Sequence, residues 1–108
     1  MIDPAVVREI ISTYERHGWA FRRVLLSDEP EQSDLFLDVA VVSTDLDAAW
    51  FSRMSKNGAT AWEIRHLSNR PLAFLTVVSN DTDDLDARLS ETEGQLRDAL
   101  KKGISSLS

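Results

Sequence analysis

The chain has 108 residues, a net charge of −6, a hydrophobic fraction of 43% and no cysteine. This length and apolar content predict one domain with a packed core, residues 1–108, and the lack of cysteine excludes disulfides and thiolate chemistry. The acidic balance argues against a nucleic acid partner, and because we find neither a membrane-spanning apolar run nor a signal peptide, we expect a cytoplasmic protein without membrane contact.

The first predicted element is a helix over residues 4–17. Asp3 is a suitable N-cap, Pro4 suits the first turn of a helix, and Gly18 supplies a left-handed residue that ends one. The apolar residues that recur at helical spacing are Val7, Ile10, Ile11 and Tyr14. One face of this helix is therefore expected to be buried.

Two strands are predicted next, with a polar loop between them. Residues 19–26 are rich in aromatic and branched side chains and follow a turn glycine, which is typical of a strand. Residues 27–34 are polar and contain Pro30, which indicates a loop. Residues 35–43 alternate between apolar and other side chains, and this pattern predicts a second strand.

The stretch 44–58 allows two interpretations. A capping-box pattern at Thr44 would begin a helix that ends at Asn57-Gly58. The same dipeptide tolerates two positive φ angles, which is typical of a tight β-hairpin turn between strands over 48–54 and 60–67. We favour the hairpin, because it pairs apolar residues with apolar ones and polar residues with polar ones.

The hairpin interpretation predicts which side chains face each other. A two-residue turn would place Phe51 opposite Ile64, two apolar residues. In the same register Arg53 would lie opposite Trp62, where a guanidinium can stack on the indole face. The hairpin would thus combine aromatic and basic side chains on one surface.

The remainder of the chain predicts an apolar strand and an amphipathic helix. Residues 72–79 are almost continuously apolar, which is typical of a central strand. A helix begins near Asp81, where acidic side chains suit the positive end of the helix dipole, and ends before Gly103. Its expected buried stripe consists of Leu85, Leu89, Thr92, Leu96 and Leu100.

Together these elements predict an α+β fold. Their order is α-β-β-β-β-β-α, or α-β-β-α-β-β-α if the stretch 44–56 is a helix, and strands do not alternate with helices. We expect an antiparallel sheet of four to five strands with the N- and C-terminal helices packed on one face.

A protein-binding surface is the site that the residue pattern favours most. Tryptophan and arginine are frequent in binding hot spots, because they bury a large area while keeping a polar group. Several of them lie on the predicted hairpin, and acidic residues without any base fill the preceding loop. The predicted partner-binding residues are Trp50, Phe51, Arg53, Trp62, Arg65 and His66 on the hairpin, and Asp28, Glu29 and Glu31 on the loop.

We therefore predict a non-enzymatic protein-interaction module that binds a protein partner or a second copy of itself and uses no cofactor. One alternative is an acidic chaperone or immunity-type protein that masks a basic partner. Another is a small-molecule binder or enzyme with a helix–sheet pocket near Asp38, Trp50 and His66. No metal site is expected because His17 and His66 have no partner at ligand spacing, and no catalytic residue is assigned because no phosphate-loop or nucleophile-elbow motif is present.

Overall fold

The computed structural model describes residues 4–27, 36, 39–56, 58–68, 72–81 and 83–106, and in it two helices flank a five-stranded sheet. The helices are α1 (Pro4–Arg16) and α2 (Leu85–Ser106), and the strands are β1 (Ala20–Leu26), β2 (Ala40–Ser43), β3 (Ala48–Met54), β4 (Ala59–His66) and β5 (Ala73–Ser79). The α+β class and the order α-β-β-β-β-β-α are confirmed, and the helical alternative for 44–56 is wrong.

Across the sheet the strands follow the order β2-β1-β3-β4-β5. All neighbours are antiparallel except β1 and β2, which are parallel, so the sheet is mostly antiparallel. Residues 27–39 join these two strands, which is about the dozen residues that a parallel connection needs. The predicted strand over 35–43 begins only at Ala40, and Phe36 ahead of it is buried in the core rather than paired in the sheet.

The two helices pack on opposite faces of the sheet, so the prediction that they share one face is wrong. Consecutive residues of β3 show this: Trp50 belongs to the core beneath α2, and Phe51 belongs to the core beneath α1. In β1, Val24 and Leu26 lie on the α1 side and Leu25 on the α2 side. Because β1 and β3 carry apolar residues at consecutive positions, both of their faces need a cover, and one helix supplies each.

Each helix covers only part of its face. A helix with its side chains is about 10 Å wide, whereas five strands spaced about 4.8 Å apart span about twice that width. Helix α1 packs on β1 and reaches β3 through Tyr14, while α2 packs on β4 and β5. On the α1 side, Tyr14 also reaches Glu63 of β4, whereas Leu75 and Val77 of β5 stay exposed among the described residues.

Strand β5 lies at an edge of the sheet, so the prediction that it is a central strand is wrong. Its even-numbered residues face α2, and Phe74 and Val78 are at least partly buried there. On the other face Leu75 is 57% exposed and Val77 is 46% exposed. A continuous apolar run indicates that both faces favour burial, but it does not specify what covers them.

The hairpin of β3 and β4 forms as predicted, but its register differs by one residue. Phe51 pairs with Glu63, because three residues, 56–58, rather than two, lie between Ser55 and Ala59, whose backbones are hydrogen-bonded. Gly58 adopts a φ of +70°, the left-handed conformation that a tight turn requires there. A register shift of one residue changes which side chains of the two strands share a face. Every contact predicted between the strands therefore changes.

The terminal helices agree with most of the predicted pattern. Helix α1 ends just ahead of Gly18, which has a φ of +85°. Helix α2 buries Leu89, Thr92 and Leu96 of the predicted stripe. It does not end before Gly103 as predicted, since this glycine has a helical backbone and the helix continues to Ser106. Neither described helix combines the length and apolarity needed to cross a membrane.

An ion pair ties α2 to the loop that follows β2. Arg97 Nε donates a hydrogen bond to Asp45 Oδ1 at 2.8 Å, and Arg97 Nη2 donates to Thr44 Oγ1 at 3.2 Å. The hydrogen bond from Arg97, helped by one from Thr44, lowers the pKa of Asp45. These contacts hold the C-terminal half of α2 over the β1 side of the sheet.

Candidate functional site

The predicted partner-binding residues do not form one surface. Trp50 and Phe51 are both 0% exposed and lie on opposite sides of the sheet, so neither offers a surface to a partner. The acidic residues Asp28, Glu29 and Glu31, and Asp38 of the alternative pocket, lie outside the described residues. The remaining predicted residues, Arg53, Trp62, Arg65 and His66, divide between the two faces.

Trp50 anchors α2 instead of binding a partner. Its indole Nε1 donates a hydrogen bond to Glu93 Oε2 at 2.9 Å, and its ring meets that of Trp62 edge-on at a centroid distance of 6.3 Å. Trp62 is half-buried in the same core. The expected exposed aromatic patch is therefore absent at these two residues, because α2 covers this face of the hairpin.

Arg53 does stack on an indole ring, but not on the expected one. Its guanidinium carbon lies 4.7 Å from the ring centroid of Trp19, and Nη1 donates to the backbone oxygen of His17 at 3.3 Å. Trp62 pairs with Ser52 and faces α2, so the predicted stack of Arg53 on Trp62 is wrong. Sequence reasoning missed Trp19 because the contact depends on the pairing of β1 with β3, two strands that are distant in the sequence.

Arg65 and His66 follow each other in β4 and point to opposite faces. Arg65 lies on the α1 face, in a cross-strand row with Ala49 and Ala73, and its Nη1 donates to the backbone oxygen of His66. His66 Nδ1 lies 2.8 Å from Ser68 Oγ. Arg65 is therefore the predicted site residue that lies nearest the uncovered part of the α1 face.

A cleft of about 260 Å³ lies between α1 and the end of β4. Glu9, Thr13 and Tyr14 of α1 line one wall, and Arg65 and Ser68 line the other. Among the described residues there is no group of three histidine, aspartate or glutamate side chains that could hold a metal ion. The cleft thus offers hydrogen-bonding groups of both charges rather than a metal centre.

Tyr14 joins α1 to the floor of this cleft. Its ring stacks on Phe51 with a centroid distance of 4.0 Å and an interplanar angle of 9°, and its hydroxyl donates to Glu63 Oε2. Burial, then this hydrogen bond and the charge of Glu63, raise the pKa of Tyr14 above its ordinary value of 10.0, and Arg65 opposes them. The phenol is therefore a structural donor rather than a base.

Titration of Tyr14 tests this arrangement, because it is the only tyrosine of the chain. We expect less phenolate absorbance at pH 10 in the folded protein than in the denatured protein, which should titrate near the ordinary pKa of a tyrosine, about 10. Since the folded pKa is raised, this group favours folding fully below about pH 10, and its contribution is lost as the pH rises above that value. Glu63→Gln should lower the folded pKa. Equal midpoints for folded and denatured wild-type protein would show that the contact does not exist.

Beyond the cleft, the α1 face continues as an uncovered surface that we call the β4–β5 platform. It consists of the exposed Leu75 and Val77 on β5 and the half-buried Glu63 and Arg65 on β4. Glu63 pairs with Leu75, and the buried Ala61 pairs with Val77. The two β5 side chains are among the exposed large hydrophobic residues of the described chain. Adjacent exposed apolar side chains, bordered by polar ones, are typical of an interaction surface.

The outer edge of β5 also presents unpaired backbone groups. The backbone N–H of His66 donates to the oxygen of Leu72, and that of Asn80 donates to the oxygen of Gly58, both at 2.9 Å. Because bonded positions alternate in an antiparallel ladder, the even-numbered residues of β5 bond to β4. The N–H and C=O groups that point outward, where no described strand lies, belong to Ala73, Leu75, Val77 and Ser79.

The edge lacks the features that usually protect such a strand from pairing. Lysine, proline and a short length are common protective devices, and β5 has seven residues with neither a charge nor a proline. The opposite edge strand, β2, has only four residues. The β5 edge is therefore the better template for an incoming strand.

Comparison of the chain with protein-family models, with curated proteins and with solved structures found no match. The functional proposal accordingly depends on the geometry of the β4–β5 platform and the β5 edge.

Proposed function

We propose that the chain is a non-enzymatic, cytoplasmic protein-interaction module that binds a polypeptide strand along the β5 edge. The observation that carries this proposal is the position of β5: a strand with the apolar sequence of a buried one lies at an edge, with Leu75 57% and Val77 46% exposed. An added strand would supply hydrogen-bond partners for the outward backbone groups, and its side chains would contact these two residues from the side.

The platform adds side-chain selectivity to this backbone recognition. In strand addition, main-chain hydrogen bonds give affinity, and alternate side chains of the incoming strand give specificity. Every second side chain would lie beside Leu75 and Val77, and a long one would reach Glu63 or Arg65 on β4. The platform thus favours an incoming strand that is apolar at alternate positions.

The two alternative functions have less support. The cleft beside α1, at about 260 Å³, is smaller than the roughly 300–1,000 Å³ that is typical of ligand pockets. Of the residues that suggested a pocket, Trp50 is buried and His66 points to the opposite face from the cleft. Masking of a basic partner depends on the acidic loop, which lies outside the described residues, and it stays a prediction.

A photo-reactive residue at position 77 tests the proposed function in cells of the native host. We expect Val77 to give a covalent adduct with a bound polypeptide, whereas the matched position Ser12, exposed on α1, should give none. Adding Leu75→Lys should remove the adduct, because a charge replaces an apolar contact beside the edge. Equal adducts at both positions, or none at position 77, would contradict the proposal.

A further inference from the structure

We infer that the strand bound at the β5 edge is β5 of a second copy of this chain, paired antiparallel about a two-fold axis at Thr76. This inference rests on the proposed function and names the partner. Three features carry it: the register of the outward backbone groups, the positions of the exposed apolar side chains, and the charges on α2 beside the edge.

The backbone register is self-complementary. An antiparallel pairing of two β5 strands can join Leu75 to Val77 of the partner subunit and Ala73 to Ser79 of the partner subunit, and all outward N–H and C=O groups then have partners. Any other two-fold register that pairs outward-facing residues with each other leaves at least one outward-facing residue of each copy without a partner. At the axis, Thr76 faces Thr76 of the partner subunit, and threonine pairs of this kind stabilise antiparallel strands.

The same axis covers the exposed apolar side chains. Leu75 and Val77 both lie on the platform side of β5, where they are 57% and 46% exposed. Under the two-fold axis, each Leu75 contacts Val77 of the partner subunit, so the four side chains form one apolar strip across the junction. The exposed apolar part of each copy therefore contacts the same part of the other copy, as a two-fold interface requires.

Charges on α2 are arranged in a complementary way. A cleft of about 160 Å³ between β5 and α2 is lined by Leu75, Thr76, Arg88 and Glu91, so these helix side chains flank the edge. Arg88 and Glu91 are both exposed and lie one helical turn apart. Because the axis makes the two α2 helices antiparallel, we infer that Arg88 pairs with Glu91 of the partner subunit and that the reciprocal pair forms as well.

Sedimentation velocity of the purified full chain over a range of concentrations tests the inference. We expect a reversible dimer of the wild type. Arg88→Glu and Glu91→Arg should each raise the dissociation constant about tenfold, because each turns two attractive pairs into repulsive ones. The double variant R88E/E91R should restore it. Glu15→Arg changes the net charge as much as Glu91→Arg does, on an exposed residue of α1, and should leave the dimer intact.

A second variant tests the strand pairing itself. Val77→Lys should abolish the dimer, while circular dichroism should show an intact fold, because the side chain is exposed in the single copy. Dimer loss in Val77→Lys together with restoration in the double charge variant would support the inference. A wild-type monomer at all concentrations, or a dimer that Val77→Lys does not affect, would overturn it.

The crosslinking experiment at position 77 separates this inference from the proposed function. An adduct of the chain with itself supports both. An adduct with a different protein, from a chain that sediments as a monomer, supports the interaction module and overturns the two-fold dimer. The absence of any adduct overturns both.

Discussion

Replacing Trp50 with alanine is expected to lower the free energy of unfolding by about 3–5 kcal/mol. The side chain is 0% exposed, so its removal leaves a cavity in the core beneath α2. It also removes the donor of the 2.9 Å hydrogen bond to Glu93 and leaves that carboxylate without this partner. Because domains of this kind are stable by only about 5–15 kcal/mol, this loss is a large part of the total.

Denaturant unfolding measures this loss, and Trp62→Ala is the matched control. Trp62 contacts the same core but is only half-buried, so its truncation should cost less. Amide hydrogen exchange should accelerate in α2 more than in α1, because Trp50 lies on the α2 side. A cost no larger than that of Trp62→Ala, or faster exchange confined to α1, would refute this description of the core.

Phe51→Ala is expected to cost a similar amount, about 3–5 kcal/mol, through the other layer of the fold. Phe51 is 0% exposed, and its ring lies 4.0 Å from that of Tyr14 and 5.4 Å from that of Phe21. Its removal should weaken the packing of α1 on the sheet. The expected signature is therefore faster amide exchange in α1, the reverse of the pattern for Trp50→Ala.

The control for this variant lies on the same strand. Met54 is 82% exposed, so Met54→Ala should change the free energy of unfolding by no more than about 0.5 kcal/mol. If Phe51→Ala and Trp50→Ala accelerated exchange in the same helix, the assignment of consecutive β3 residues to opposite layers would be incorrect.

Local sequence signals were sufficient to predict the elements. The cap and glycine around α1, the Asn57-Gly58 dipeptide and the apolar stripe of α2 each act within a few residues. Apart from the shorter β2 and the later α2, helices and strands lie near the predicted bounds. The placement of the helices on opposite faces depends on contacts between distant segments. The consecutive apolar residues of β1 and β3 were the available signal, because a strand that is apolar at every position needs cover on both faces.

The candidate site was harder to predict, for two physical reasons. A hairpin loop of three residues instead of two changes the register of β3 and β4 by one, so Arg53 does not lie opposite Trp62. The pairing of β1 with β3 brings Trp19 beside Arg53 instead. The apolar run of β5 predicts a central strand, because the pattern alone does not distinguish a strand buried within one chain from a strand buried between chains. The interface is inferred from this combination, an apolar strand that lies at the edge of the sheet.

Amide hydrogen exchange along β5, measured for dilute monomer and for the associated protein, tests most directly whether this edge binds a strand. In the monomer we expect slow exchange at Phe74, Thr76 and Val78, which bond to β4, and fast exchange at Leu75 and Val77. On association the amides of Leu75 and Val77 should become slow as well. Protection of these two amides in the monomer, or continued fast exchange in the complex, would contradict strand addition at β5.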